Sequence, residues 1–225
     1  MTKRSISLAL VLSFAALTLT GGNAMAIEEP RYEVLASTDD YEVRRYDSYI
    51  IAETDVEGTY KTAGNKAFRI LAGYIFGDNQ ASEKMAMTAP VGARPADDSV
   101  KMKMTAPVTS APGDDQAGSY TYSFVMESKY SLESLPVPND PRVRIRVVPE
   151  RTMAVHRYSG TWSEDNYRKH ERILLDALAD DSISTRGAPV SARYNAPFTP
   201  WFMRRNEVMI EIEGDFGPSA ISPKP

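Results

Sequence analysis

YEVRRYDSYIIAETDVEGTYKTAGNKAFRIL, from Tyr41 to Leu71, and VRIRVVPERTMAVHRYSGTWSEDNYRKHERI, from Val143 to Ile173, follow one plan at an offset of 102 residues. Val43 aligns with Ile145, Ile51 with Met153, Ala52 with Ala154 and Gly58 with Gly160. Tyr60 aligns with Trp162, Lys66 with Arg168 and Leu71 with Ile173. Identities are few, but the order is shared: strand, turn, strand, glycine, aromatic residue, helix. Two copies are too few for a solenoid. They predict one domain built from two pseudo-symmetric halves.

In the first copy, Tyr41–Tyr46 and Tyr49–Val56 are rich in Tyr, Ile and Val and read as strands around an Asp47-Ser48 turn. Gly58 ends the second strand, and a helix follows from about Thr59 to Ile75. Its apolar stripe is Ala63, Ala67, Ile70, Leu71 and Tyr74. In the second copy, Val143–Val148 and Thr152–Ser159 are strands around Pro149-Glu150, and Ser163 caps a helix from about Glu164 to Ala179. Between the copies, KMAMTAPV at Lys84–Val91 is nearly repeated as KMKMTAPV at Lys101–Val108. As extended strands, these place Met85 and Met87, and again Met102 and Met104, on one face. Tyr120–Glu127, Val190–Tyr194 and Glu207–Glu213 complete the strands. Two amphipathic helices need a sheet to cover. The expectation is an α+β fold: a distorted antiparallel β-barrel flanked by two long α-helices, its interior or one end open to a small ligand.

The first 26 residues are set apart. Lys3 and Arg4 precede an apolar run from Ile6 to Leu19, and Ala24-Met25-Ala26 is a small-x-small cleavage pattern. This is the order of a secretory signal peptide, and the run is too short for a spanning helix. A periplasmic or secreted protein is expected, with a domain over 27–213 and a flexible tail over 214–225. Without Lys3 and Arg4, 24 basic residues face 30 acidic ones, a net charge of −6. That balance argues against a general nucleic-acid binder. The chain has no cysteine, which excludes thiol catalysis and thiolate metal sites. No later apolar segment reaches membrane-spanning length.

The chain resembles the SOUL haem-binding protein family. The resemblance is carried by Tyr41-Glu42-Val43-Arg44-Arg45-Tyr46, by Gly73-Tyr74-Ile75-Phe76-Gly77-Asp78-Asn79, by the two Met-Thr-Ala-Pro-Val copies, and by Pro200-Trp201-Phe202-Met203-Arg204-Arg205-Asn206-Glu207-Val208. These four motifs occur in order over roughly Tyr32–Ile212. The resemblance implies a distorted barrel with two helices, similar to GyrI-like drug-sensing domains. It also implies binding of haem, a porphyrin without iron, or a related tetrapyrrole.

A haem site needs an apolar slot, cations for carboxylates and usually an axial ligand. Met85, Met87, Met102 and Met104 are candidates to line the slot, or equally an irregular core. Tyr74 joins them at the end of its helix. Arg44 and Arg204 are the candidate carboxylate partners, since guanidinium matches carboxylate bidentately; ordinary surface charge is the alternative. His156, on the strand face of Ala154 and Tyr158, is a candidate iron ligand if that face looks into the pocket, and otherwise a hydrogen-bonded strand histidine. His170 lies on the helix stripe, where a packing role competes with ligation. Two further functions stay open: a module for another flat hydrophobic molecule, and a small-molecule hydrolase. The hydrolase would use Glu207 or Glu211 with Tyr194 or Tyr158 as an acid–base pair in an apolar pocket. Against it, Glu207, Glu211 and Glu213 share a strand face by period two, the pattern of a solvated face.

Overall fold

The computed structural model describes residues 27–81, 99–113, 118–214 and 216. The candidate signal peptide, Met85 and Met87 lie outside these residues. In chain order the strands are β1 (Tyr32–Ser37), β2 (Glu42–Tyr46), β3 (Tyr49–Glu57), β4 (Asn79–Gln80), β5 (Val108–Pro112) and β6 (Ser119–Val125). They continue as β7 (Val137–Pro138), β8 (Arg144–Val148), β9 (Arg151–Tyr158), β10 (Thr185–Arg193) and β11 (Asn206–Ile212). The helices are α1 (Tyr60–Ile75) and α2 (Glu164–Asp180). Nine strands form one antiparallel sheet in the order β1-β2-β9-β11-β10-β5-β6-β3-β8, and β4 pairs with β7 apart from it.

The two segments aligned at an offset of 102 residues interlock. Neither Asp47-Ser48 nor Pro149-Glu150 closes a hairpin. β2 pairs with β9 (Tyr46↔Arg151) and β3 pairs with β8 (Tyr49↔Val148), so one ladder runs through both bends in a single register. The sheet thereby curls into a half-barrel. Its outer face carries the helices. α1 buries Ala63, Ala67, Leu71 and Tyr74 against Ala52, Tyr122 and Phe124. α2 buries Tyr167, Leu174 and Leu178 against Val43, Ala154, Val208 and Ile210. Replacing any one of these three buried leucines by Ala costs about 2–5 kcal/mol. Phe216, inside the expected tail, is buried in the same cluster as α2. The inner face holds Tyr46, Met153, Tyr194 and Met209.

Two equivalent glycines turn a strand into each helix. Gly58 has φ +147° and Gly160 φ +120°, values that L side chains rarely adopt. A Cβ on Gly58 would stand 2.6 Å from Thr62 Oγ1, and one on Gly160 2.7 Å from Asn166 Nδ2. Immediately after them the helices are capped. Thr62 N donates to Thr59 Oγ1 (3.3 Å), Thr59 N donates to Thr62 Oγ1 (2.9 Å), and Asn166 N donates to Ser163 Oγ (3.3 Å).

The second methionine segment is not a strand. Residues 101–107 lie outside the sheet, which β5 joins only at Val108. Their backbone amides are taken elsewhere: Met102 N donates to Ile75 O (2.8 Å), Lys103 N to Glu127 Oε1 (2.9 Å) and Ala106 N to Glu28 O (2.9 Å). Alternation of apolar and polar residues gave the right facing without the pairing.

Candidate functional site

A cleft of about 790 Å³ opens between the first turns of α1 and α2, within the size range of small-molecule sites. Tyr60, Phe68, Tyr122 and Trp162 supply its aromatic walls, and Arg193 and Lys61 its positive charge. Tyr60 stacks on Tyr167 with centroids 6.0 Å apart, and Phe68 meets Phe124 edge-on at 5.7 Å. Trp162 Nε1 donates to Asn206 Oδ1 at 2.8 Å, and Asn206 Nδ2 donates to Gly160 O at 3.3 Å. The indole is thus fixed from the sheet rather than from its own loop. Tyr122 OH donates to Tyr60 O at 3.4 Å, and burial pushes the phenol up to about 12, so it stays protonated at neutral pH.

Arg193 stands at the end of β10 between two rings. Its Cζ lies 5.2 Å from the Tyr60 centroid and 5.3 Å from that of Trp162, within cation–π range. Its Nη2 is buried and makes no hydrogen bond among the described residues. A half-buried guanidinium with an unsatisfied donor carries a cost that a further acceptor would relieve. Nothing in the sequence pattern singled out Arg193. The available signal was the repeat itself, which places an aromatic residue two positions after each of Gly58 and Gly160.

The other polar centre lies inside the curled sheet. Glu207 is fully buried and accepts from Arg44 Nη1 (3.2 and 3.1 Å), Arg205 Nε (3.0 Å) and Tyr194 OH (2.6 Å). Arg44 also donates to Glu42 (2.7 Å) and Tyr46 OH (3.2 Å), and Arg205 donates to Glu29 (3.0 Å). Burial alone would lower the pKa of both arginines; Glu207, joined by Tyr46 and Glu42 around Arg44 and by Tyr194 and Glu29 around Arg205, outweighs it and holds them charged. Burial, then Glu207, drives the Tyr194 phenol far upward. The sheet interior beside this cluster contains a cavity of only about 100 Å³, too small for a ligand of the sizes such sites take.

The expected site residues are scattered. Met102 is buried in the core with Tyr74, and Met104 packs against that core. Tyr74 OH donates to Pro136 O at 2.9 Å. Arg44 is saturated inside the sheet rather than open to a ligand. Arg204 stands behind the cleft wall, its Cζ 4.2 Å from the Trp162 centroid, donating to Thr199 O (2.8 Å) and Pro197 O (2.9 Å). None of these side chains lines the cleft. His156 and His170 find each other: Nε2 of His156 is 2.9 Å from Nδ1 of His170, and Tyr158 stacks on His170 at 4.1 Å. His156 Nδ1 meets the Asp40 carbonyl, so it carries the proton there, and His170 Nδ1 donates to His156. Burial, then His156, lowers His170 to about 4. Among the described residues no group of three or more His, Cys, Asp or Glu could hold a metal ion.

The Glu207–Tyr194 pair of the hydrolase reading exists, but two guanidiniums share its carboxylate, unlike the apolar pocket that reading requires. The expected solvated face fails at Glu207 alone. β11 lies mid-sheet and buries Glu207, while Glu211, 3.8 Å from Arg186, is half-exposed and Glu213 just beyond the strand is exposed.

A curled antiparallel half-barrel with two helices on its outer face is a GyrI-like α+β architecture. It is similar to the C-terminal domain of EcmrR (12% identity, TM-score 0.51, 81% of this chain and 98% of that chain). It is also similar to a hydrolase from Listeria innocua (11% identity, TM-score 0.50, 79% and 94%). At such identities the likeness carries the fold alone. The chain belongs to the SOUL heme-binding protein family, whose model matches residues 27–211. No curated protein matches it.

Proposed function

We propose that this chain is an exported tetrapyrrole-binding protein whose ligand lies in the cleft between α1 and α2. The observation that carries the reading is Arg193: a guanidinium held between Tyr60 and Trp162, its Nη2 unpartnered, at the edge of an apolar volume. The residues fit the flat ring and acidic substituents of a tetrapyrrole. The rings of Tyr60, Phe68 and Trp162 would cover the plane, with Arg193 and Lys61 at the carboxylates. Family membership supports the same ligand class, and the order of residues 3–26 supports export.

Haem would bring an iron centre, for which the cleft lining offers neither histidine nor methionine among the described residues. Binding therefore depends on the ring and its carboxylates, and haem and metal-free protoporphyrin should bind with similar affinity. A spectroscopic titration of the purified chain with each tests this. Saturable one-to-one binding of both is expected, reduced in Arg193→Ala. Binding of haem alone, abolished by His156→Ala or His170→Ala, would overturn it.

A further inference from the structure

Among the described residues, Phe198, Trp201, Phe202 and Met203 are 89%, 59%, 62% and 65% exposed. Four large apolar side chains are exposed within six positions, two of them, Trp201 and Phe202, in edge-on contact at 5.6 Å, unlike the single scattered exposures normal for a protein surface. The backbone holds them outward. Thr199 N donates to Ala196 O (3.0 Å), Met203 N to Pro200 O (2.9 Å), and Gly160 N to Trp201 O (3.0 Å). Arg204 ties the loop together through Thr199 O and Pro197 O.

The charge around the loop departs from that of the chain. From Ser182 to Asn206 there is no acidic residue and there are four arginines, in a protein with 30 acidic residues against 26 basic. Arg205 is paired with Glu29 and Glu207. Arg204 has no carboxylate partner among the described residues; it meets carbonyls and the Trp162 ring. The loop also adjoins the cleft mouth, since Asn195, Pro197 and Trp162 line the cleft.

We propose that this loop docks the protein on a phospholipid bilayer. Phe198, Trp201, Phe202 and Met203 enter the interface and Arg204 sits at the level of anionic headgroups. Tryptophan and phenylalanine are suited to that boundary, and an uncompensated arginine is attracted to its negative potential. The docked cleft mouth faces the lipid, an apolar phase from which a poorly soluble ligand can pass. The docking itself does not depend on which ligand the cleft takes.

The test uses the full chain with phosphatidylcholine–phosphatidylglycerol vesicles carrying brominated acyl chains. The chain has two tryptophans, Trp162 and Trp201. Emission is expected to shift to the blue and be quenched, and Trp201→Phe is expected to abolish that response while vesicle co-sedimentation persists. The triple variant Phe198→Ser, Phe202→Ser, Met203→Ser has the same residues 1–26, so any binding by that segment is common to both chains. It is expected to lower the loop-dependent partitioning at least roughly tenfold, with an unchanged thermal midpoint. Arg204→Gln is expected to reduce the preference for phosphatidylglycerol roughly fivefold. The proposal is overturned if Trp201 emission ignores vesicles, if the triple variant partitions like the parent, if the loop instead mediates self-association, or if Trp201 becomes shielded only when porphyrin is added without lipid.

Discussion

The cleft and the sheet interior use the same pair of residue types to opposite ends. In the interior, Arg205 lies 3.7 Å over the Tyr194 ring, and in the cleft Arg193 lies between Tyr60 and Trp162. The interior guanidiniums of Arg44 and Arg205 both meet Glu207; Arg193 meets no carboxylate among the described residues. A buried cation paired and hydrogen-bonded on all sides is part of the fold. One left with a buried, unpaired donor beside an apolar volume is the exception, and it is the one the proposed ligand would pair.

Breaking the two centres should therefore give different losses. Glu207→Ala removes the buried carboxylate that Arg44 and Arg205 share, leaving them only Glu42 and Glu29, and about 3–5 kcal/mol of stability should be lost in urea unfolding. Survival of the fold at near-parental stability would show that the cluster is not structural. Arg193→Ala should leave unfolding almost unchanged, yet weaken protoporphyrin binding by roughly 10- to 100-fold, the scale of a lost charged hydrogen bond. If it instead destabilises the fold without touching affinity, the two regions are alike and the contrast fails. Ser163→Ala removes the cap of α2 at the cleft edge and should cost about 1 kcal/mol, measured as a lowered midpoint in denaturant.

A pH-dependent effect concerns His170. Its folded value of about 4 lies below the ~6.5 of an unfolded histidine. On acidification the unfolded chain takes up this proton first. The contribution of His170 is full above about 6.5 and is lost as pH falls toward about 4. The difference in unfolding free energy between the parent and His170→Asn should shrink over that window. A difference that is constant or grows on acidification refutes the assignment.

Both helices were legible in the sequence to within a residue or so, because glycine, cap and apolar stripe agree at Gly58–Thr59 and at Gly160–Ser163. The positions of β2, β3, β6, β8, β9 and β11 were legible too, whereas β1, β4, β5 and β7 were not, and only the second half of β10 was. Pairing was not. Turn residues such as Asp47-Ser48 mark a change of direction without saying whether the flanking strands meet each other or a partner 100 residues away. The burial of Glu207 was hidden for a related reason. Period-two alternation assumes one wet face, whereas β11 is covered by α2 on one side and by Arg44, Arg205 and Tyr194 on the other. Arg193 was invisible because its ring partners are remote in sequence, Tyr60 from the start of α1 and Trp162 from the loop before α2. The family motif around Trp201–Arg205 was read as one unit. The structure divides it into an outward apolar loop, an arginine behind the cleft wall, and an arginine and a glutamate inside the sheet.

The central claim is the place of binding. Asn65 is exposed on α1 and lines the cleft, so Asn65→Trp should fill the mouth without disturbing the core. Titration of protoporphyrin IX into parent and variant, with thermal unfolding measured alongside, tests the claim directly. Saturable one-to-one binding by the parent, abolished in an equally stable Asn65→Trp chain, is the predicted result. Undiminished binding by a folded Asn65→Trp chain would contradict it and move the ligand out of this cleft.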